Sequence, residues 1–210
     1  MKVEIWSDVM CPFCYIGKRR FEAALAQFAH RDQVEVVWKS FQLDPYLVTD
    51  PKKSVKQQLA DSKGWSLGQT DEAMAYVVNM AKEVGLTYDF DKAVVANSFD
   101  AHRFSHLAKK HKLQDEAEER LFSAYFTEGK NTADRETLVR LGTEIGLDPA
   151  ETSRVLSGND YAEDVETDIY EARQVGVSGV PFFVFDDKYA VSGAQSSALF
   201  LEVLEKVFEE

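Results

Sequence analysis

The sequence predicts an α/β protein whose sheet-forming domain is split by a long helical insertion. Three observations carry that expectation. Short β-favouring runs occur only towards the two ends of the chain, at 3–7, 34–43, 182–185 and 188–192. Between them, helical signals succeed one another without interruption. The chain then closes on an amphipathic helix. The resulting order of β, α, β, helical block, β, β, α places a discontinuous domain at 1–48 and 175–210, with an inserted domain at 49–174.

The first strand carries Val3, Ile5 and Trp6 and is broken by Asp8 to Pro12. Phe21, Leu25 and Phe28 then recur at helical spacing, with Ala23, Ala24 and Ala26 supporting helix. The second strand, Val34 to Leu43, is rich in Val, Trp and Phe and is closed by Asp44-Pro45. Strand signals are then absent until about Gln174.

Within the insertion, Thr70 or Asp71 is the expected cap of a helix striped by Met74, Val77, Val78, Ala81 and Val84. Further helices are expected from about Phe99 to His111, across Leu121, Phe122, Tyr125 and Phe126 to Gly129, and from Asp134 through Leu138, Leu141 and Ile145. Asp148-Pro149 reads as an N-cap with proline in the first helical position. Asp160 with Glu163 resembles a capping box that opens the last helix of the block. Past it, Phe182-Phe183-Val184-Phe185, a turn at Asp186-Asp187 and a return from Lys188 to Ser192 form a predicted hairpin. The closing helix aligns Leu199, Phe200, Val203, Leu204, Val207 and Phe208.

The chain of 210 residues is 45% hydrophobic and 29% charged, ordinary values for a globular protein with one good-sized core. A net charge of -12 argues against nucleic acid as a partner, since polyphosphate binding needs a strong basic surface and Lys18-Arg19-Arg20 is the only short basic run. No apolar stretch approaches the roughly 20 residues that span a bilayer. The opening Met1-Lys2-Val3-Glu4-Ile5-Trp6 lacks the basic and apolar pattern of an export signal, so a cytoplasmic location is expected.

The only two cysteines, Cys11 and Cys14, enclose Pro12 and Phe13 where the first strand gives way to the first helix. A disulfide-stapled scaffold spreads several cysteines along its chain, whereas a lone close pair in a reducing compartment reads as reactive or metal-binding. The thiolate is the nucleophile of disulfide exchange, and the unpaired N–H groups and dipole at a helix N-terminus favour negative charge. In this spacing Cys11, nearer the helix start and solvent, is the expected attacking thiol. Cys14, a turn further in, is the expected resolving thiol, which displaces the client or closes the internal bond. Pro12 suits a first turn, where no N–H is missed.

Other readings stay open on the residues alone. The pair could be half of a zinc site with His102 and His106, although that separation far exceeds compact finger spacing. A structural disulfide would close a loop too small to add much stability. Two unrelated buried cysteines are the third reading. His102 is a candidate for moving protons beside the site, against the plainer reading of a partly exposed helix histidine. His106 and His111 read as a solvated face with Lys109 and Lys110, and Lys18, Arg19 and Arg20 likewise. Asn97 or Ser98 is a helix cap. Trp38 and Phe41 are expected in the core, while Met10, Phe13 and Tyr15, flanking the thiols, are candidates for an apolar client surface.

The order strand, Cys-X-X-Cys, helix, strand, then proline before a hairpin resembles the thioredoxin fold. The strings W-S-D-V-M-C-P-F-C-Y-I-G-K at 6–18 and G-V-S-G-V-P-F-F-V-F at 176–185 are similar to the DsbA family. Asn97 to Arg103 and Ala124 to Gly129 resemble its cytoplasmic FrnE-like members. The resemblance implies a thioredoxin-like domain with a large all-α insertion and dithiol–disulfide chemistry on protein or small-thiol clients. It implies a cis-proline at Pro181 facing Cys11, with Val180 presenting backbone groups to a bound peptide, and it alone brings Asn97 to the site. Recycling would draw on glutathione or thioredoxin, with no metal or organic cofactor. Phe13 departs from the histidine common in exported oxidants. The rival enzyme class is the glutathione-dependent kappa transferases and chromene carboxylate isomerases, which have a similar inserted architecture and no need for a thiol at position 14. A redox-sensing or holdase module is the non-catalytic alternative.

Overall fold

The structure is a computed structural model describing residues 1–210. Its contacts divide the chain into two compact units, Met1–Leu43 with Glu166–Glu210, and Asp44–Val165.

The first unit is built on β1 (Lys2–Ser7), β2 (Glu35–Ser40), β5 (Phe182–Phe185) and β6 (Tyr189–Ser192), in the spatial order β2-β1-β5-β6. β1 runs parallel to β2 and antiparallel to β5, and β5 pairs antiparallel with β6. The parallel pair needs a crossover, which α1 (Pro12–Gln27) supplies. Asp186 and Asp187 both adopt positive φ, 47° and 56°, the backbone of a tight hairpin turn. Alternation along the strands makes two faces. On one, Phe21 of α1 meets Phe183 at 5.6 Å and Phe200 at 5.7 Å between ring centroids, and Phe183 meets Phe200 at 4.6 Å. Phe200 belongs to α9 (Ser197–Glu209), capped by the Ser196 hydroxyl, which accepts from Leu199 N–H. On the other face Trp6 and Val184 pack with Ala172 and Val177. Fully burying each such aromatic contributes on the order of 2–3 kcal/mol.

Ala172 lies on α8 (Ala162–Val175), which sequence reading assigned whole to the insertion. Most of it falls with the first unit. The reason is Asp168, buried at 3% exposure. Its carboxylate accepts from Ser40 N–H at 2.9 Å and Lys39 Nζ at 2.9 Å, and its carbonyl accepts from Trp6 Nε1 at 3.0 Å. Burial opposes the charge on Lys39, but the Glu171 and Asp168 carboxylates outweigh it and raise the pKa of Lys39.

The second unit holds α2 (Val55–Lys63), α3 (Leu67–Glu83), α4 (Phe99–Lys110), α5 (Gln114–Phe126), α6 (Arg135–Glu144) and α7 (Pro149–Ser157). Its core is formed by Phe104, Leu107, Leu121, Phe122, Phe126, Leu138, Leu141 and Leu156. Asp134 and Asp148 cap α6 and α7, accepting from Thr137 N–H and Glu151 N–H. α3 begins a turn earlier than Thr70, because Ser66 and Gln69 form a reciprocal capping box there. The capping role expected of Asp160 is replaced by an ion pair with Arg154 at 2.8 Å. A two-stranded ribbon, β3 (Asp50–Ser54) with β4 (Val94–Val95), runs through a region read as strand-free. Asp-Pro-Lys-Lys-Ser has no apolar alternation to announce a strand.

Candidate active site at the start of helix α1

β1 ends at Ser7, whose carbonyl accepts from Phe41 N–H at 3.0 Å. Asp8, fully buried, accepts from Leu43 N–H through Oδ2 at 2.8 Å and from Cys11 N–H through its carbonyl at 2.9 Å. These bonds set the turn that delivers Cys11 to the N-cap of α1, in extended conformation, with Pro12 in the first turn. No acidic side chain occupies that first turn of the helix. Cys14 N–H then bonds the Cys11 carbonyl at 3.0 Å.

Both cysteines are free thiols. The Cys11 thiol donates to the Val180 carbonyl at 3.4 Å, joining positions 169 residues apart in the chain. The Val180–Pro181 peptide is cis, and Pro181 is itself anchored by Gly193 N–H, which donates to its carbonyl at 2.8 Å. α1 comes this close to Pro181 because residue 17 is glycine: a Cβ there would lie 2.9 Å from Pro181 Cγ.

Cys11 is less open than its place near the helix start led the sequence reading to expect. It is 3% exposed against 1% for Cys14, because its sulfur is covered by the loop that carries Val180. What separates the two thiols is their surroundings. Burial pushes the Cys14 thiol well above the usual thiol range, and the neighbouring Cys11 pushes it further. The Asp8 N–H and the Ser7 hydroxyl act in the opposite sense.

The flanking residues divide. Phe13 is 36% exposed and Met10 is partly exposed, so both reach the surface beside the thiols. Val180 is partly exposed and Pro12 likewise. Tyr15 does not belong with them. It is buried, with its ring under the Arg19 guanidinium and its hydroxyl accepting from Arg19 at 3.2 Å. Lys18 is also buried, against the expectation of a solvated face, and pairs with Glu22 one turn on.

His102 and Asn97 lie in the second unit. His102 is 2% exposed, more deeply buried than the expected helix histidine. His106 is buried as well, stacked on Tyr161, since this face of α4 packs inward; of these three histidines His111 alone is exposed, beside Glu151. Asn97 Nδ2 donates to the carbonyls of Leu47 at 2.9 Å and Pro45 at 3.3 Å, while its Oδ1 accepts from Phe99 N–H at 2.9 Å. Its amide therefore caps α4 and ties down the loop that displays Tyr46, rather than presenting a free group. No group of three or more His, Cys, Asp or Glu side chains is arranged to hold a metal ion. No helix is long and apolar enough to cross a membrane. Ser7 and Asp8 are the site residues that sequence reading missed; nothing in their spacing from the cysteines marks them.

A four-stranded sheet in this order, with a Cys-X-X-Cys pair opening the helix after β1, defines a thioredoxin-like oxidoreductase fold. Residues 2–205 match the DSBA-like thioredoxin domain, and the chain belongs to that family. A probable DsbA oxidoreductase from Streptomyces coelicolor is 40% identical, covering all of this chain and 91% of that one at a TM-score of 0.93. The uncharacterized protein YwbO of Bacillus subtilis is 29% identical over 94% of this chain and 92% of its own length. The cytosolic disulfide reductase DsbM of Pseudomonas aeruginosa, also solved with GSH, shares the fold at 18% identity and a TM-score of 0.71, covering all of this chain and 99% of that one.

Proposed function

We propose that this protein is a cytoplasmic thiol–disulfide oxidoreductase or isomerase of the FrnE-like kind, with Cys11 as nucleophile and Cys14 as resolving thiol. The observation that carries the assignment is the asymmetry of the pair. Cys14 is held as a protonated thiol by burial, whereas Cys11 stands at the N-cap of α1 in contact with the Val180 carbonyl. Cys11 attacks a client disulfide and forms a mixed disulfide. Cys14 then displaces the client and closes the Cys11–Cys14 bond. Pro181 shapes the face on which the client lies, and Val180, Pro12, Phe13 and Met10 line it. Protein disulfides and small thiols are the clients. Glutathione is the favoured recycling reductant, supported by the glutathione complex of the Pseudomonas relative.

The test is equilibration in graded glutathione buffers, trapping of free thiols and mass spectrometry. A reversible two-electron transition that vanishes in Cys11→Ser supports the reading. Absence of a disulfide at every poise overturns it. Glutathione-dependent turnover that survives Cys14→Ala would move the protein to the transferase and isomerase class instead.

A further inference from the structure

We propose that Ser7 supplies the hydroxyl that stabilises Cys14 as a thiolate during the resolving step. The inference rests on the oxidoreductase reading and assigns a further residue to its second half-reaction.

Ser7 is the last residue of β1, 2% exposed, and pinned by the bond from Phe41 N–H to its carbonyl. Its Oγ is buried and makes no hydrogen bond in the dithiol form, to the Cys14 sulfur or to any other acceptor. Buried hydroxyls are rarely left so, and each such case calls for an explanation. The neighbour that explains it is the Cys14 sulfur, whose charged form the Ser7 hydroxyl favours together with the Asp8 N–H. A neutral thiol is a weak acceptor and gives the hydroxyl little. A thiolate is a strong one. The interaction is therefore made when negative charge develops on Cys14 and hardly before, the condition under which a contact lowers a barrier rather than merely stabilising the resting state.

The step balances without any outside reagent. The mixed disulfide R–S–S–Cys11 and the Cys14 thiol give the Cys11–Cys14 disulfide and R–SH. The Cys14 sulfur bonds to the Cys11 sulfur, the bond from Cys11 to the client breaks, and the electron pair leaves on the client sulfur. The proton released by Cys14 ends on that departing thiol. Ser7 donates to the Cys14 sulfur as negative charge develops there and gives up no proton.

Reduced protein mixed rapidly with excess oxidised glutathione, quenched in acid and weighed by mass spectrometry, separates the two steps. Uptake of one glutathione reports attack by Cys11, and its loss reports resolution by Cys14. Ser7→Ala should leave uptake unchanged, slow the loss about tenfold and move the pH midpoint of the loss upward. Ser7→Thr, which retains a hydroxyl, should restore both, and melting curves will show that each variant is folded. Wild-type resolution in Ser7→Ala with an unshifted pH profile overturns this inference alone. So does equal slowing in Ser7→Ala and Ser7→Thr, which would mark a packing role. A wild-type protein that takes up no glutathione at Cys11 overturns the oxidoreductase reading, and this one with it.

Discussion

At the scale of single residues, the chemistry turns on what each thiol can touch. Phe13 occupies the exposed first turn of α1 between the cysteines and offers neither a hydrogen bond nor a charge to a thiolate. The reduced form gains less than it would beside histidine. The midpoint potential should therefore lie below the roughly -120 mV of DsbA. Phe13→His should raise it by ~30 mV or more, since about 1.4 kcal/mol of added thiolate stabilisation corresponds to ~30 mV in a two-electron couple. Glutathione titration of both proteins measures the difference, and a wild-type potential near -120 mV would refute the argument. Cys14→Ala removes the resolving thiol while leaving the N-cap intact. Challenged with oxidised glutathione, it should accumulate as a Cys11 mixed disulfide that wild-type protein shows only transiently, read directly as added mass.

At the scale of elements, two contacts hold parts of the fold in place without touching a client. Gly17 lets α1 lie against Pro181, with Phe183 also within 3.5 Å of where a Cβ would stand. Gly17→Ala gains helix propensity but forces the ring of Pro181 away. The clash should dominate, with a loss of about 1–3 kcal/mol in urea unfolding and slower reaction of Cys11 with disulfides. In the second unit, Arg103 is buried and donates to the carbonyls of Val155 at 2.5 Å, Gly158 at 2.7 Å and Asp160 at 2.9 Å, and to Asp100 at 2.8 Å. It thereby satisfies the Gly158 and Asp160 carbonyls just past α7 and adds a second donor to the Val155 carbonyl, which Gly158 N–H also reaches at 3.3 Å. Arg103→Met keeps much of the volume but strands the Gly158 and Asp160 acceptors, so a cost of about 2–4 kcal/mol is expected by the same measurement.

At the scale of the whole molecule, the parts of the fold that were legible are those specified locally. Pro12 after Cys11, Asp148-Pro149 and the 21/25/28 spacing each announce a helix through neighbours a few residues away, and each stands where expected. What escaped depends on distant partners. α8 joins the sheet because Asp168 reaches Trp6 and Ser40, more than a hundred residues earlier, and no local pattern records that. Tyr15, Lys18 and His106 carry polar atoms that favour the surface, yet are buried through the packing of their helices. The site was legible as a motif but not as an environment. Its electrostatic character comes from the burial of Cys14, and this has a consequence for global stability. The folded protein holds the Cys14 thiol protonated at pH values where the unfolded chain ionises it near the usual ~8.5. A group whose pKa is raised on folding contributes its full stability below the unfolded value and loses it as pH climbs through the folded one, at most ~1.4 kcal/mol per pH unit. Reduced protein should therefore lose melting temperature progressively above about pH 8.5. The oxidised protein, with no thiol left to ionise, should lack that component, and so should reduced Cys14→Ser. Parallel melting curves from pH 7 to 10 test this: a gap between oxidised and reduced forms that stays constant with pH would show that Cys14 ionises as easily in the folded protein as in the unfolded chain.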